Sequence, residues 1–287
     1  MDVNVSGETA RVEELVLISA PRSGTNFFCE CLDAFPEIMG ANEIFNKAGA
    51  FGTARDGQLE VINEIAGTSA KSTRDPGLIE LFRGTPERGI EVLAETAART
   101  GRNVISYKIF RGQLETDVLN ALLVDVHRHV LFLVRGRLDV YVSYEKARQT
   151  DTWINANTRG MELEIDIEEF LTWSKRTDNW YRRTADTLDG LGRPYRVLSY
   201  ENDVDMPKGD LIARLYDTLV ADGIQVSLPA KKPKVRFKRQ DVRAEPFRKI
   251  ANAEGLRMDL VARGLLDYAL SAPLADRDAP HGLVGSV

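Results

Sequence analysis

Only two cysteines and three histidines occur in the 287 residues of this chain. Cys29 and Cys31 stand two apart where a helix is expected, so their side chains diverge and cannot pair with each other; they read as packing residues. A Cys-x-Cys metal site would need further ligands nearby, and with His127, His129 and His281 as the whole histidine set no metal is assigned. No apolar run approaches the roughly 18 residues that a membrane helix needs. The opening MDVNVSGETARVEE is too polar and acidic for a secretory signal, and a cytoplasmic location is expected. The net charge of -5 argues against general attraction to nucleic acid, leaving KKPKVRFKR at Lys231 to Arg239 as a local basic exception.

What is present is a hydrophobic content of 43%, enough for a substantial core. Short apolar runs at Leu15 to Ala20, Asn103 to Phe110, His129 to Val134 and Tyr195 to Tyr200 read as buried strands. Between and around them, helical spacing occurs at Thr25 to Phe35, Pro86 to Thr100, Leu114 to Val126, Asp139 to Gln149, Ile167 to Leu188 and Asp210 to Ala221. The alternation predicts an α/β fold with a central parallel sheet flanked by helices, one domain over 1–287 with 1–13 and 273–287 as flexible ends. Asn46 to Thr85, rich in glycine and charge, reads as a lid or insertion, and Thr150 to Asp166 as a second loop.

The chemistry starts at VLISAPRSGTN, Val16 to Asn26, where a strand breaks into a polar turn that enters a helix. Backbone N–H groups at a helix N-terminus, with the positive end of the dipole behind them, make a cradle for phosphate or sulfate. Arg22 supplies a fixed cation, Gly24 lets the backbone approach, and Ser23, Thr25 and Asn26 supply side-chain donors. The lysine of a Walker loop, G-x-x-x-x-G-K-[ST], is missing, which disfavours a Mg²⁺-dependent NTPase. The expected architecture is therefore P-loop-like and three-layered. In RGRLDVYVSYEKA, Arg135 ends a strand and Ser143 follows eight residues later in a helix, a pair able to clamp a second phosphate over the same crevice. Lys108, near the end of another strand, points to a cation for the transferring group.

PRSGTN followed by a strand and R-x7-S resembles the paired motifs of sulfotransferases that use 3′-phosphoadenosine-5′-phosphosulfate. RGRLDVYVSYEKARQTDTW, with Gln149, Thr150 and Trp153, is similar to bacterial carbohydrate sulfotransferases of the trehalose 2-sulfotransferase and nodulation-factor type. KRQDV at Lys238 to Val242 resembles a cofactor-side segment of that group, and VLSYE at Val197 to Glu201 resembles its strand ending in Tyr-Glu. The resemblance implies a PAPS-dependent enzyme in which Arg22, Ser23, Gly24, Thr25 and Asn26 bind the phosphosulfate and Arg135 and Ser143 the 3′-phosphate. It implies Glu43 as catalytic base, with Lys108 beside it, no metal, and a carbohydrate, glycolipid or other small hydroxyl-bearing acceptor. It implies no nucleic acid and leaves room for a homodimer. Two other readings stay open on the residues alone: an ATP-dependent small-molecule kinase with an atypical loop, and a nucleic-acid-binding module using Lys231 to Arg239. Of the aromatic residues, Trp173 and Trp180 read as core and Trp153 as the one able to stack on a ligand.

Overall fold

The uninterrupted apolar runs become strands buried on both faces, as a parallel sheet sandwiched between helices requires. A computed structural model describes residues 11–153, 158, 160–230 and 245–277. The basic run Lys231 to Arg239, the KRQDV segment and His281 lie outside the described residues. Five strands, β1 (Glu13–Ser19), β2 (Ile38–Asn42), β3 (Val104–Phe110), β4 (Arg128–Val134) and β5 (Tyr195–Ser199), pair in the order β2-β3-β1-β4-β5. Every pairing is parallel.

Alternate residues divide the core. Leu15 and Leu17 of β1 and Leu131 and Leu133 of β4 face α1 (Thr25–Leu32) and, across the sheet edge, α8 (Lys208–Ala221). Val16, Ile18, Tyr107, Ile109 and Phe132 face the other layer, built from α2 (Gln58–Ala66), α3 (Pro76–Gly84), α4 (Pro86–Arg99), α5 (Thr116–Leu123) and α7 (Ile167–Gly190). Each fully buried side chain of this size contributes roughly 1.5–3 kcal/mol. A smaller core joins α6 (Arg137–Thr150) and the start of α7 to α9 (Ala253–Ala262) and α10 (Leu266–Leu270). Asp166 caps α7 by accepting the Glu169 N–H at 2.9 Å, with Glu168 and Glu169 in the first turn to complement the dipole.

Three sequence expectations are corrected. The strand β2 was not anticipated: its IMGAN is short and carries Gly40, where a Cβ would collide with the Asp33 carboxylate. Asn46 to Thr85 is not loop throughout but holds α2 and α3, the latter capped by Asp75, which accepts the Gly77 N–H at 3.0 Å. Within the spans expected as flexible ends, 11–13 and 273–277 are built into the fold. Val12 is buried and Glu13 opens β1, while Leu274 is 3% exposed and Arg277 pairs with Asp186 and Asp189, so apolar burial and ion pairs tie down both 11–13 and 273–277.

A buried ionic network locks the end of the sheet opposite the loops after β1 and β4. Arg128 donates to Glu14 at 2.8 Å and to Glu87 at 2.7 Å, and the Tyr107 hydroxyl donates to Glu14 at 2.8 Å. Burial pushes the Glu14 carboxyl up, against the pull of Arg128. Breaking such a pair from one side leaves a buried charge uncompensated, so Arg128→Met is expected to destabilise the fold by about 3–5 kcal/mol. Urea denaturation checks this; a loss under about 1 kcal/mol, the scale of an exposed pair, would show that the network is not rigid.

Candidate anion-binding active site

In this strand order the chain leaves β1 toward β3 and β2, while β4 and β5 extend the other way. The loops after β1 and β4 therefore part and open a crevice at their carboxyl ends. All five strands deliver residues to this edge, in spatial order: Glu43 after β2, Lys108 on β3, Arg22 to Asn26 after β1, Arg135 after β4, and Tyr200 and Glu201 after β5. The sequence-predicted residues, scattered over 22–143, are thus neighbours.

The loop after β1 owes its shape to two left-handed residues, Arg22 (φ 76°) and Gly24 (φ 86°). The first is strained for an L-residue, the kind of conformation kept where surrounding structure enforces it. Below it, the Ala20 N–H donates to the Tyr181 hydroxyl at 2.5 Å and Ser19 Oγ donates to the Leu133 carbonyl at 2.6 Å. Burial, as the largest influence, raises the Tyr181 phenol, so the group stays neutral. Ser23 is fully buried beside that phenol, and its Oγ makes no hydrogen bond of normal geometry among the described residues. Gly24 lies flat against the Tyr200 ring, where a Cβ would overlap two ring carbons. Gly24→Ala therefore meets both a steric and a backbone penalty, and it is expected to weaken anion binding at least about tenfold, the equivalent of one 1.4 kcal/mol contact. Titration with adenosine 3′,5′-bisphosphate checks this, and unchanged affinity would show that the loop need not approach its ligand closely.

On one side of the loop stands an arginine pair. Arg22 Nε donates to Ser143 Oγ at 3.1 Å and its Nη1 to the Trp153 carbonyl. Burial first, and then the like charge of Arg135, pull the Arg22 guanidinium down to about 10. It stays charged at neutral pH, so the pair carries an electrostatic penalty that a dianion placed near it would relieve. Arg135 stacks on Tyr200 with 4.3 Å from guanidinium carbon to ring centroid and donates to the Arg22 carbonyl at 3.4 Å. Its carboxylate neighbours are loose, Asp139 at 3.6 Å and Glu201 at 4.0 Å, and its buried Nε makes no hydrogen bond among the described residues. Sequence reading assigned Arg22 to one phosphate and Ser143 to another; the structure joins the two side chains directly, so the two expected positions adjoin.

On the other side stands a lysine–carboxylate pair. Lys108 is 1% exposed; its Nζ donates to Asn26 Oδ1 at 2.5 Å and to Thr25 Oγ1 at 3.4 Å and lies 3.3 Å from Glu43 Oε1. A lysine that the loop itself lacks thus reaches the start of α1 from β3. Glu43 Oε2 accepts from Asn46 Nδ2 at 2.8 Å and Gln113 Nε2 at 3.4 Å, and Gln113 is itself anchored by the Phe110 N–H at 2.9 Å. Glu43 keeps 21% side-chain exposure, so its carboxylate is oriented and reachable.

Sequence reasoning missed Asn46, Gln113 and Tyr181, for which no local signal exists, and saw Tyr200 and Glu201 only as part of a motif. The remaining candidates stand apart. His127 and His129 pair with Glu13 at 3.6 and 3.0 Å, at the far end of β4 from the crevice. Cys29 and Cys31 are buried, and burial pushes their thiols to about 11 and about 12, which makes them inert packing groups. Trp173 and Trp180 pack on the core, while Trp153 is 42% exposed against Tyr144. Among the described residues no helix is long and apolar enough to cross a membrane. No protein-family model matches the chain, and no curated protein matches it.

Proposed function

We propose that this crevice binds 3′-phosphoadenosine-5′-phosphosulfate and transfers its sulfuryl group to an acceptor hydroxyl, of a carbohydrate or glycolipid on the family resemblance. The observation that carries the reading is the meeting of Arg22, Arg135 and Ser143 on one flank of an N-terminal helix cradle, with Lys108 and Glu43 on the other. Two cationic flanks separated by one loop suit a nucleotide carrying anionic groups at two positions.

In the chemistry, the acceptor oxygen forms a bond to sulfur while the bond from sulfur to the bridging oxygen of the 5′-phosphate breaks. Glu43 takes the acceptor proton, and the electron pair of the broken bond stays on the leaving phosphate. Lys108, Arg22 and the N–H groups at the start of α1 offer positive charge where that pair accumulates, fixed before the reaction begins. Asn46 and Gln113 hold Glu43 through Oε2, which fixes the direction of the carboxylate.

A thermal-shift comparison separates this reading from a kinase. Adenosine 3′,5′-bisphosphate is expected to raise Tm at concentrations where ATP with Mg²⁺ raises it little. Stabilisation by ATP with Mg²⁺ alone would overturn the proposal in favour of phosphoryl transfer.

A further inference from the structure

The motif RGR presents two arginines, and their surroundings assign them different work. Arg137 is braced rather than available. Its side chain is 8% exposed; Nε lies 3.0 Å from both Asp178 oxygens, and Nη1 donates to the Tyr268 carbonyl at 3.1 Å, the Ser271 carbonyl at 2.8 Å and Ser271 Oγ at 3.0 Å. Its guanidinium also stacks on the Tyr268 ring at 4.3 Å, and the Tyr268 hydroxyl donates to Asp178 Oδ2 at 2.8 Å. Burial, followed by the Asp178 carboxylate, pushes that phenol up to about 12, so it remains a donor.

The same C-terminal segment grips the backbone beside Arg135. The Arg137 N–H donates to the Ser271 carbonyl at 3.1 Å, and a Cβ on Gly136 would stand 2.7 Å from the Leu270 carbonyl oxygen. The Gly136 N–H also donates to Glu201 Oε1 at 3.1 Å. Among the described residues Arg135 itself makes only long contacts, at 3.4, 3.6 and 4.0 Å, apart from its stack on Tyr200. Its direction is therefore set by the clamped turn from which it emerges.

We infer that Tyr268, acting through Asp178 and Arg137, is a positioning residue for Arg135, and that this C-terminal brace sets the preference for a nucleotide bearing a second phosphate. The inference rests on the reading of Arg135 as the ligand of that phosphate. A loosely tethered arginine on a rigid turn keeps its donors for the ligand and loses little freedom on binding, which is how a supporting shell contributes to affinity.

The test uses the full chain and calorimetric titration with adenosine 3′,5′-bisphosphate and with AMP, alongside Tm. Tyr268→Phe keeps the ring stack and removes one hydrogen bond; Gly136→Ala pushes the turn off Leu270. Each is expected to weaken the bisphosphate about tenfold, on the scale of one misdirected charge-assisted hydrogen bond, and AMP by less than about twofold. An unchanged ratio of the two affinities in both variants, or an equal loss of both ligands with a lowered Tm, would overturn the inference. If the wild-type chain itself fails to prefer the bisphosphate, the donor reading falls and this inference falls with it.

Discussion

Arg135→Ala is expected to weaken adenosine 3′,5′-bisphosphate binding by about 10- to 100-fold, the equivalent of one or two charge-assisted hydrogen bonds, and to leave AMP binding nearly unchanged. The asymmetry follows from position. Arg135 stands at the tip of β4, outside the loop Ala20 to Asn26 that would hold the 5′ group, and its guanidinium keeps a buried Nε without a hydrogen bond among the described residues. The variant removes one cation from beside Arg22 but leaves the 5′ side its own cations, Arg22 in the loop and Lys108 beside it. The fold is expected to tolerate the change, because the turn is held by Gly136 and Arg137 rather than by the Arg135 side chain. Equal losses for both nucleotides would place Arg135 in general support of the loop instead.

Glu43→Gln is expected to lower turnover by about 10²- to 10⁴-fold, the usual contribution of a general base, while bisphosphate affinity holds or tightens. The substitution keeps the side chain's shape and its hydrogen-bonding reach toward Asn46 and Gln113, but removes the charge that faces Lys108 at 3.3 Å. Lys108 is then freer to serve the anionic donor, which is why binding is not expected to suffer. Transfer of radiolabelled sulfuryl groups from the donor to a panel of hydroxyl-bearing acceptors provides the readout. Turnover within about threefold of wild type would remove Glu43 as the base and leave Lys108 and Glu43 as a structural pair.

The two predictions draw on parts of the site that the sequence reveals unequally. β1, β3 and β4 are legible because strands buried on both faces need largely apolar runs, and β5, a half-buried edge strand, because Val197 and Leu198 stand in a short β-prone run. Arg22 to Asn26, Arg135 and Lys108 follow because the carboxyl ends of parallel strands meet at one edge. β2 is hidden, since its five residues include Gly40, and the demand for that glycine comes from Asp33 on another element. Without β2, Glu43 reads as a loop carboxylate rather than a strand-tip residue on the Lys108 side. The Arg22 to Ser143 bond spans 121 residues, and the Tyr268 brace returns from α10; neither leaves a local pattern. Gln113 belongs to the same class, as one amide in a turn whose value lies in its anchor on Phe110 and its reach to Glu43.

The proposed function requires a single nucleotide to engage both cationic flanks of the loop after β1. Isothermal titration of the wild-type chain with adenosine 3′,5′-bisphosphate, AMP and ATP with Mg²⁺, at one salt concentration, tests it most directly. The bisphosphate is expected to bind tightest, by about tenfold or more over AMP, as one additional charge-assisted contact requires. Indistinguishable affinities for the bisphosphate and AMP, or tightest binding of ATP with Mg²⁺, would contradict it.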